Sequence, residues 1–152
     1  MLVGATDKKY LLEGIEDYQK RLIHYLPFEI RVIADIKNSR NLTAVQQKER
    51  EGKAILDLVS PGDELVLLDV EGVEFSSPGL ANWIENRMLA GTRQLIFVVG
   101  GPYGFSDDVY KRAKSKLSLS KLTFPHQLVR LLFIEQLYRA MTIIKGEPYH
   151  HA

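Results

Sequence analysis

Apolar positions along the chain change their spacing several times, and each change marks an element. Leu11, Ile15, Tyr18 and Leu22 recur at helical intervals, which predicts an amphipathic helix from Asp7 to about Tyr25. Phe28 to Ile33 ("FEIRVI") alternates apolar and polar, as a half-exposed strand does. "NLTAVQQKEREGKAILDLV" returns to helical spacing, with Asn41 or Thr43 as its cap, and "SPGD" breaks it. Glu64 to Asp69 ("ELVLLD") reads as a buried strand. In "SSPGLANWIENRML", Ser77 suits an N-cap and Pro78 the first helical position, where a missing N–H costs nothing. "QLIFVV" is the next strand. A glycine bend follows, then a short helix opened by Ser106, with Asp107 and Asp108 near its positive end. The longest apolar segment, "HQLVRLLFIEQLYRAMTIIKG", predicts a helix from near Pro125 to Gly146.

Strands alternating with helices predict an α/β fold with a mainly parallel sheet flanked by helices. No internal repeat, low-complexity tract or linker divides the chain, so residues 1–152 are expected to form one domain. In such sheets ligands bind beyond the carboxyl ends of the strands. Those ends are "DVEGVEFSS" after Asp69, "GGPYGFS" after Val99, and "SLSKLTFP". The last helix adds a clue, because Leu128, Val129, Leu131, Leu132, Phe133, Ile134, Leu137 and Met141 cover more than one of its sides. A surface helix needs one apolar stripe of about 100°. Burial from two directions is implied, by the sheet and by either the rest of the chain or a second subunit.

Composition narrows the chemistry. With 152 residues, 45% hydrophobic and 26% charged, the chain is long enough to bury a sizeable core. No apolar run approaches the roughly 20 residues that span a bilayer, and "MLVGATDKKY" lacks the layout of a secretion signal. A cytoplasmic protein without a membrane partner is expected. The absence of cysteine excludes disulfides, thiolate metal sites and cysteine nucleophiles. His24, His126, His150 and His151 show no metal-ligand spacing, so no metal is expected. A net charge of +1 argues against holding nucleic acid by charge alone. Lys111, Arg112, Lys114, Lys116 and Lys121 nevertheless lie close together, as a solvated face or as a local contact for an RNA backbone.

The bend after Val99 allows positive φ and close backbone approach at Gly100, Gly101 and Gly104. A tight strand-to-helix turn needs no more than that. A phosphate loop would require Gly-Lys at a fixed offset, and a dinucleotide fingerprint fails at Pro102. A flat, largely uncharged ligand such as an adenosine moiety stays open. Ser118, Ser120, Thr123 and His126 are not set in a nucleophile elbow, and capping or turn roles account for at least two of them. Arg139 lies in a mostly apolar helix and needs a partner, for which Glu135, one turn back, is available.

Taken together, "LLDVEG", "IFVVGGPYGFS", "LSLSKLTFPHQLVRLLFIEQLYRA" and the terminal "YHH" resemble the ribosomal large-subunit pseudouridine N3-methyltransferase family of the SPOUT class, over essentially the whole chain. The resemblance implies an α/β fold whose C-terminal part forms a trefoil knot, and a homodimer with S-adenosylmethionine sites in the knot near the subunit interface. It implies methyl transfer to N3 of a pseudouridine in 23S rRNA on the assembled ribosome. Cofactor contacts carry over to Leu68, to Gly101, and to Ser120, Lys121, Leu122, Thr123, Phe124 and Pro125. Gly100 and Gly104 join them on the steric argument. Substrate-side roles carry over to Arg139, His150 and His151, with each terminus reaching the partner's cofactor. A non-catalytic RNA-binding assembly factor is the competing expectation. Two departures stand out. His151 replaces a common Arg or Lys, and an imidazole there supplies less positive charge at neutral pH than either. Ala152 replaces an acid or lysine, and relatives usually carry several more residues before "LVG", so a shortened first strand is expected.

Overall fold

Leu65, Val66 and Leu67 have no exposed surface in the computed structural model of the chain, which describes residues 1–36 and 39–151. A strand apolar on both faces must be covered on both, and that requirement organises the molecule. Their strand, β3 (Glu64–Glu74), lies between β4 (Leu95–Val99) and β5 (Ser115–Ser118). Beyond β4 come β1 (Leu2–Val3) and β2 (Val32–Ile33), giving the order β2-β1-β4-β3-β5 with every pair parallel. Helices α1 (Lys9–Leu22), α3 (Ser77–Leu89) and α5 (His126–Ile144) cover one face through Ile15, Ile84, Phe133 and Leu137. On the other face Ile55 of α2 (Ala44–Leu56) and Val109 of α4 (Asp107–Arg112) pack on Leu65, Leu67 and Val98. No helix among the described residues is long and apolar enough to cross a membrane.

Local chemistry explains where elements start. Thr43 closes a capping box with Gln46 at the head of α2. The cap of α3 is Ser76, not Ser77: Ser76 Oγ accepts the Gly79 N–H at 3.1 Å, while Ser77 Oγ donates to Gln136 of α5. Strand β2 is shorter than its alternation predicts, because β1 offers only Leu2 and Val3 as ladder partners. Strand β3 is longer, so "DVEGVEFSS" is largely strand rather than loop. Leu117 pairs with both Leu68 and Val73, and residues 69–72 bulge between the two pairings. Gly72 permits this crossing, since a Cβ there would sit 2.5–2.7 Å from backbone atoms of Lys116 and Leu117.

The apolar breadth of α5 is mostly explained within the chain. Leu131 packs on Gly14 of α1, and Phe133, Ile134, Leu137 and Met141 enter the shared core. Leu128, Val129 and Leu132 are half-buried and belong to neither core cluster. Arg130, buried on the same helix, donates to Val3 O and Thr6 Oγ1, each at 2.7 Å. It fastens α5 to the turn that follows β1.

Candidate active site

Register brings the sequence-derived cofactor segments together. Leu68 stands opposite Val99 on one side and Leu117 on the other, so three neighbouring strands lose their regular ladder just beyond one row. The irregular segments are the bulge at 69–72, the bend at 100–104 and the loop at 119–125. Gly101 and Gly104 close the bend with an isolated antiparallel bridge, the Gly104 N–H donating to Gly101 O at 3.3 Å. Tyr110 Oη donates to Asp69 Oδ2 at 2.5 Å, tying α4 to the bulge. Burial, reinforced by that bond, pushes the Tyr110 phenol up to about 12.

The three glycines of the bend serve different ends. A Cβ on Gly100 would lie 2.9 Å from the Phe105 ring, and one on Gly101 would lie 2.6 Å from Glu51 Oε2. The protein's own side chains press on those two positions. Gly104 differs: its φ of +77° demands glycine, and nothing lies nearer to its Cβ direction than Tyr110 Oη at 4.0 Å. Free space over the bend therefore opens on the Gly104 side.

Glu51 escaped the reading of the sequence. It is buried, its Oε1 accepts Gln47 Nε2 at 2.8 Å, and its Oε2 has no partner among the described residues. Burial pushes its carboxyl up, offset in part by the Gln47 bond and reinforced by Asp35. The available signal was spacing, for Glu51 precedes the buried Ile55 by one helical turn and so shares its inward stripe.

In the third segment Ser118 Oγ donates to Ser120 O at 3.1 Å, and Ser120 Oγ accepts the Leu122 N–H at 3.0 Å. Both serines hold a turn. Lys121, Leu122, Thr123 and Pro125 are exposed, and Phe124 is half-buried. Among the described residues, the N–H groups of Lys121, Thr123 and Phe124 have no backbone partner. Unpaired amides beside apolar side chains suit a neutral heteroaromatic with a donor–acceptor edge.

Arg139 heads a second constellation. Its Nε and Nη2 donate to Glu135 Oε1 at 3.1 and 2.6 Å, its Nη1 lies 3.4 Å from His150 Nδ1, and Tyr149 Oη donates to the same Glu135 oxygen at 3.2 Å. Tyr18 Oη lies 3.3 Å from Tyr149 Oη, and the Tyr149 ring packs edge-on against Tyr138. The hydrogen bond to Glu135 shifts the Arg139 guanidinium further up and keeps it charged. His150 is half-buried, His151 is exposed, and Ala152 lies outside the described residues. From Pro125 at the head of α5 to Arg139 the helix rises about 21 Å. One chain therefore gathers Leu68, the bend and Ser120–Pro125 at one end of α5, and Arg139 with His150 towards the other.

The basic stretch is largely engaged. Lys111 lies 3.5 Å from Asp108, Lys114 lies 3.8 Å from Glu64, and Lys116 sits over the Tyr110 ring. Arg112 donates to Ser60 O and Asp63 O at 2.7 and 2.9 Å, a structural tie. His24 is exposed just past α1. Among the described residues, no cluster of three or more His, Asp or Glu side chains could hold a metal.

Comparison with known proteins adds a family and close relatives. The family described as "Predicted SPOUT methyltransferase" matches residues 1–150. A ribosomal RNA large subunit methyltransferase H of Parabacteroides distasonis is 56% identical over 151 residues, 99% of this chain and 96% of that protein. Proteins of the same name from Flavobacterium psychrophilum (55% over 149 residues, 98% and 95%) and Phocaeicola vulgatus (50% over 151 residues, 99% and 96%) are similar along their whole length.

Proposed function

The chain belongs to the SPOUT methyltransferase family, and on that premise we propose that it methylates N3 of a pseudouridine in 23S rRNA, on the assembled ribosome and in the cytoplasm. The relatives' name supports rRNA of the large subunit as the substrate class. The observation that carries the reading is the row Leu68–Val99–Leu117, beyond which a bulge, a bend and a loop lie on three neighbouring strands. Their free amides, and the space beside Gly104, suit an adenosine moiety better than a phosphate. When bound there, S-adenosylmethionine supplies an electrophilic methyl group on a sulfonium centre.

Leu68, Gly101 and Ser120–Pro125, with Gly100 and Gly104 shaping the bend, hold this methyl donor. Arg139, kept charged by Glu135, stabilises negative charge on the uracil ring as N3 loses its proton. His150, whose Nδ1 faces Arg139, accepts that proton, and His151 contacts the RNA. Since about 21 Å of helix separates these groups from the donor segments in one chain, the working site is composite. A second copy supplies Arg139 and His150, covering the Leu128–Val129–Leu132 stripe beside the donor loop. The family's trefoil knot, in which the C-terminal part threads through a loop and the methyl donor sits in the knot, belongs to the same proposal.

Methyl transfer from labelled S-adenosylmethionine to ribosomes with and without the pseudouridine modification tests this. Label in 23S rRNA is expected only where pseudouridine is present. Equal labelling of both would overturn the nucleoside assignment, and binding of the donor without labelling would favour an assembly factor.

A further inference from the structure

The fold buries a carboxyl group against the glycine bend and leaves half of it unmatched. Glu51 is 5% exposed. Gly52, the next residue of α2, lets the helix come in so far that a Cβ there would meet Ser106 Oγ at 2.1 Å. Helix α2 is thereby seated on the head of α4, and the Glu51 carboxyl is set against Gly101. Its Oε1 and Oε2 lie 3.1 and 2.6 Å from the point where a Gly101 Cβ would stand. Oε1 accepts from Gln47, whereas Oε2 has no partner among the described residues. The surroundings do not balance it. Asp35, in the stretch after β2, adds a second negative field, and neither acid joins an ion pair among the described residues. Gln47 and Ser106 are neutral, and the bend's titratable side chain, Tyr103, is exposed. Arg130 feels the field of Asp35, but its two terminal nitrogens donate to Val3 O and Thr6 Oγ1. A buried carboxyl so placed either keeps its proton or awaits a cation.

On the premise that the corner binds S-adenosylmethionine, as proposed above, we propose that Glu51 is the specificity-determining residue by which it tells the charged donor from the spent product. Methyl transfer converts a sulfonium into a neutral thioether and leaves the nucleoside and the amino acid as they were. Shape and the amides of the loop at 119–125 therefore hold both molecules alike, and the charge on sulfur is what remains to be read. Gly101 has no side chain to stand between the Glu51 carboxyl and a ligand seated on the bend. The apolar packing of Ile55, Phe105 and Val109 around that carboxyl lets its field act across several ångströms. A cation on the bend relieves the unmatched carboxylate, and a neutral ligand does not. The consequence is a corner that grips the donor and loosens once the methyl group has gone. Protons report on it. Burial raises the pKa of Glu51 in the free protein, so arrival of a cation expels its proton. Donor affinity then rises with pH through the titration of Glu51, from about 4.5 upward, and product affinity stays level.

The test is calorimetric binding of S-adenosylmethionine and of its demethylated product, S-adenosylhomocysteine, to the unaltered chain and to Glu51→Gln. Glutamine keeps the acceptor for Gln47 and removes the charge, and binding of the neutral product shows that the variant's corner is intact. Glu51→Gln is expected to weaken the donor about fivefold or more and to leave the product within about twofold. Repeated between about pH 4.5 and 7 in buffers of different ionisation enthalpy, donor binding should release protons from the unaltered chain and not from the variant. Equal weakening of both ligands would make Glu51 a mere prop for the bend and overturn the proposal. Proton release that survives the substitution would also overturn it, and would point to Asp35. If the unaltered chain bound neither ligand, the donor reading itself would fall, and this proposal with it.

Discussion

The corner formed by Leu68, the glycine bend and Ser120–Pro125 lies towards one end of α5 and the Arg139 constellation towards the other, and the two are built in opposite ways. The corner is made of backbone: a bulge, a bend and a turn, held in place by strand register and by glycines where the chain meets itself. The Arg139 constellation is made of side chains on a regular helix, joined through the single acceptor Glu135 Oε1. A site that holds a ligand by shape needs positions fixed by packing, since one added methyl spoils it. A site that stabilises developing charge needs a fixed cation, and a helix face provides it. The two should therefore fail differently.

The largest failure is expected at Gly72. Gly72→Ala forces a Cβ against backbone atoms of Lys116 and Leu117 and should destabilise the protein by about 3 kcal/mol or more, read as a drop in urea midpoint. An unchanged midpoint would mean that the crossing of β3 and β5 is loose, and the contrast with the helix end would weaken. Next, Arg139→Ala should lower methyl transfer by about 100-fold or more while donor affinity, by calorimetry, stays within about twofold. Parallel loss of both would place Arg139 in the corner's function and erase the distinction. The smallest effect is on pH dependence. The folded-state pKa of Glu51 is raised, so the native state holds its proton longer than the unfolded chain does. Its contribution to stability is full below about 4.5 and declines as pH rises through the folded value. Glu51→Gln should flatten that part of the stability–pH profile, measured by urea unfolding between about pH 4 and 8.

The same contrast explains what could be read from the sequence. Helix α5, the cap at Thr43, strand β4 and the Glu135–Arg139 pair were legible, because side-chain periodicity and one-turn spacing encode them. The extension of β3 through Glu74 was not, because "EGVE" is polar and its pairing is decided by where β5 passes. "SKLS" likewise joins the sheet through ladder bonds that a hydrophobic pattern does not record. In the corner, the reading named Gly100, Gly101 and Gly104, for a tight turn or for a ligand, but not the side chains that press on the first two. Those are Phe105 and Glu51, and distant partners such as Glu51 have no local signature. Gly72 carried one, as a lone glycine inside a strand-like run, which marks a bulge or a close backbone approach.

Arg130 binds Val3 and Thr6 across 127 and 124 positions of sequence, so the first residues to leave the ribosome wait for almost the last. At translation speeds of about 5–20 residues per second, that wait is on the order of ten seconds. Throughout it, the opening of the chain has no buried cation to close upon. A nascent chain cut short before α5 is thus left without its latch, and the fastening of its first turn is confined to chains that have reached that helix.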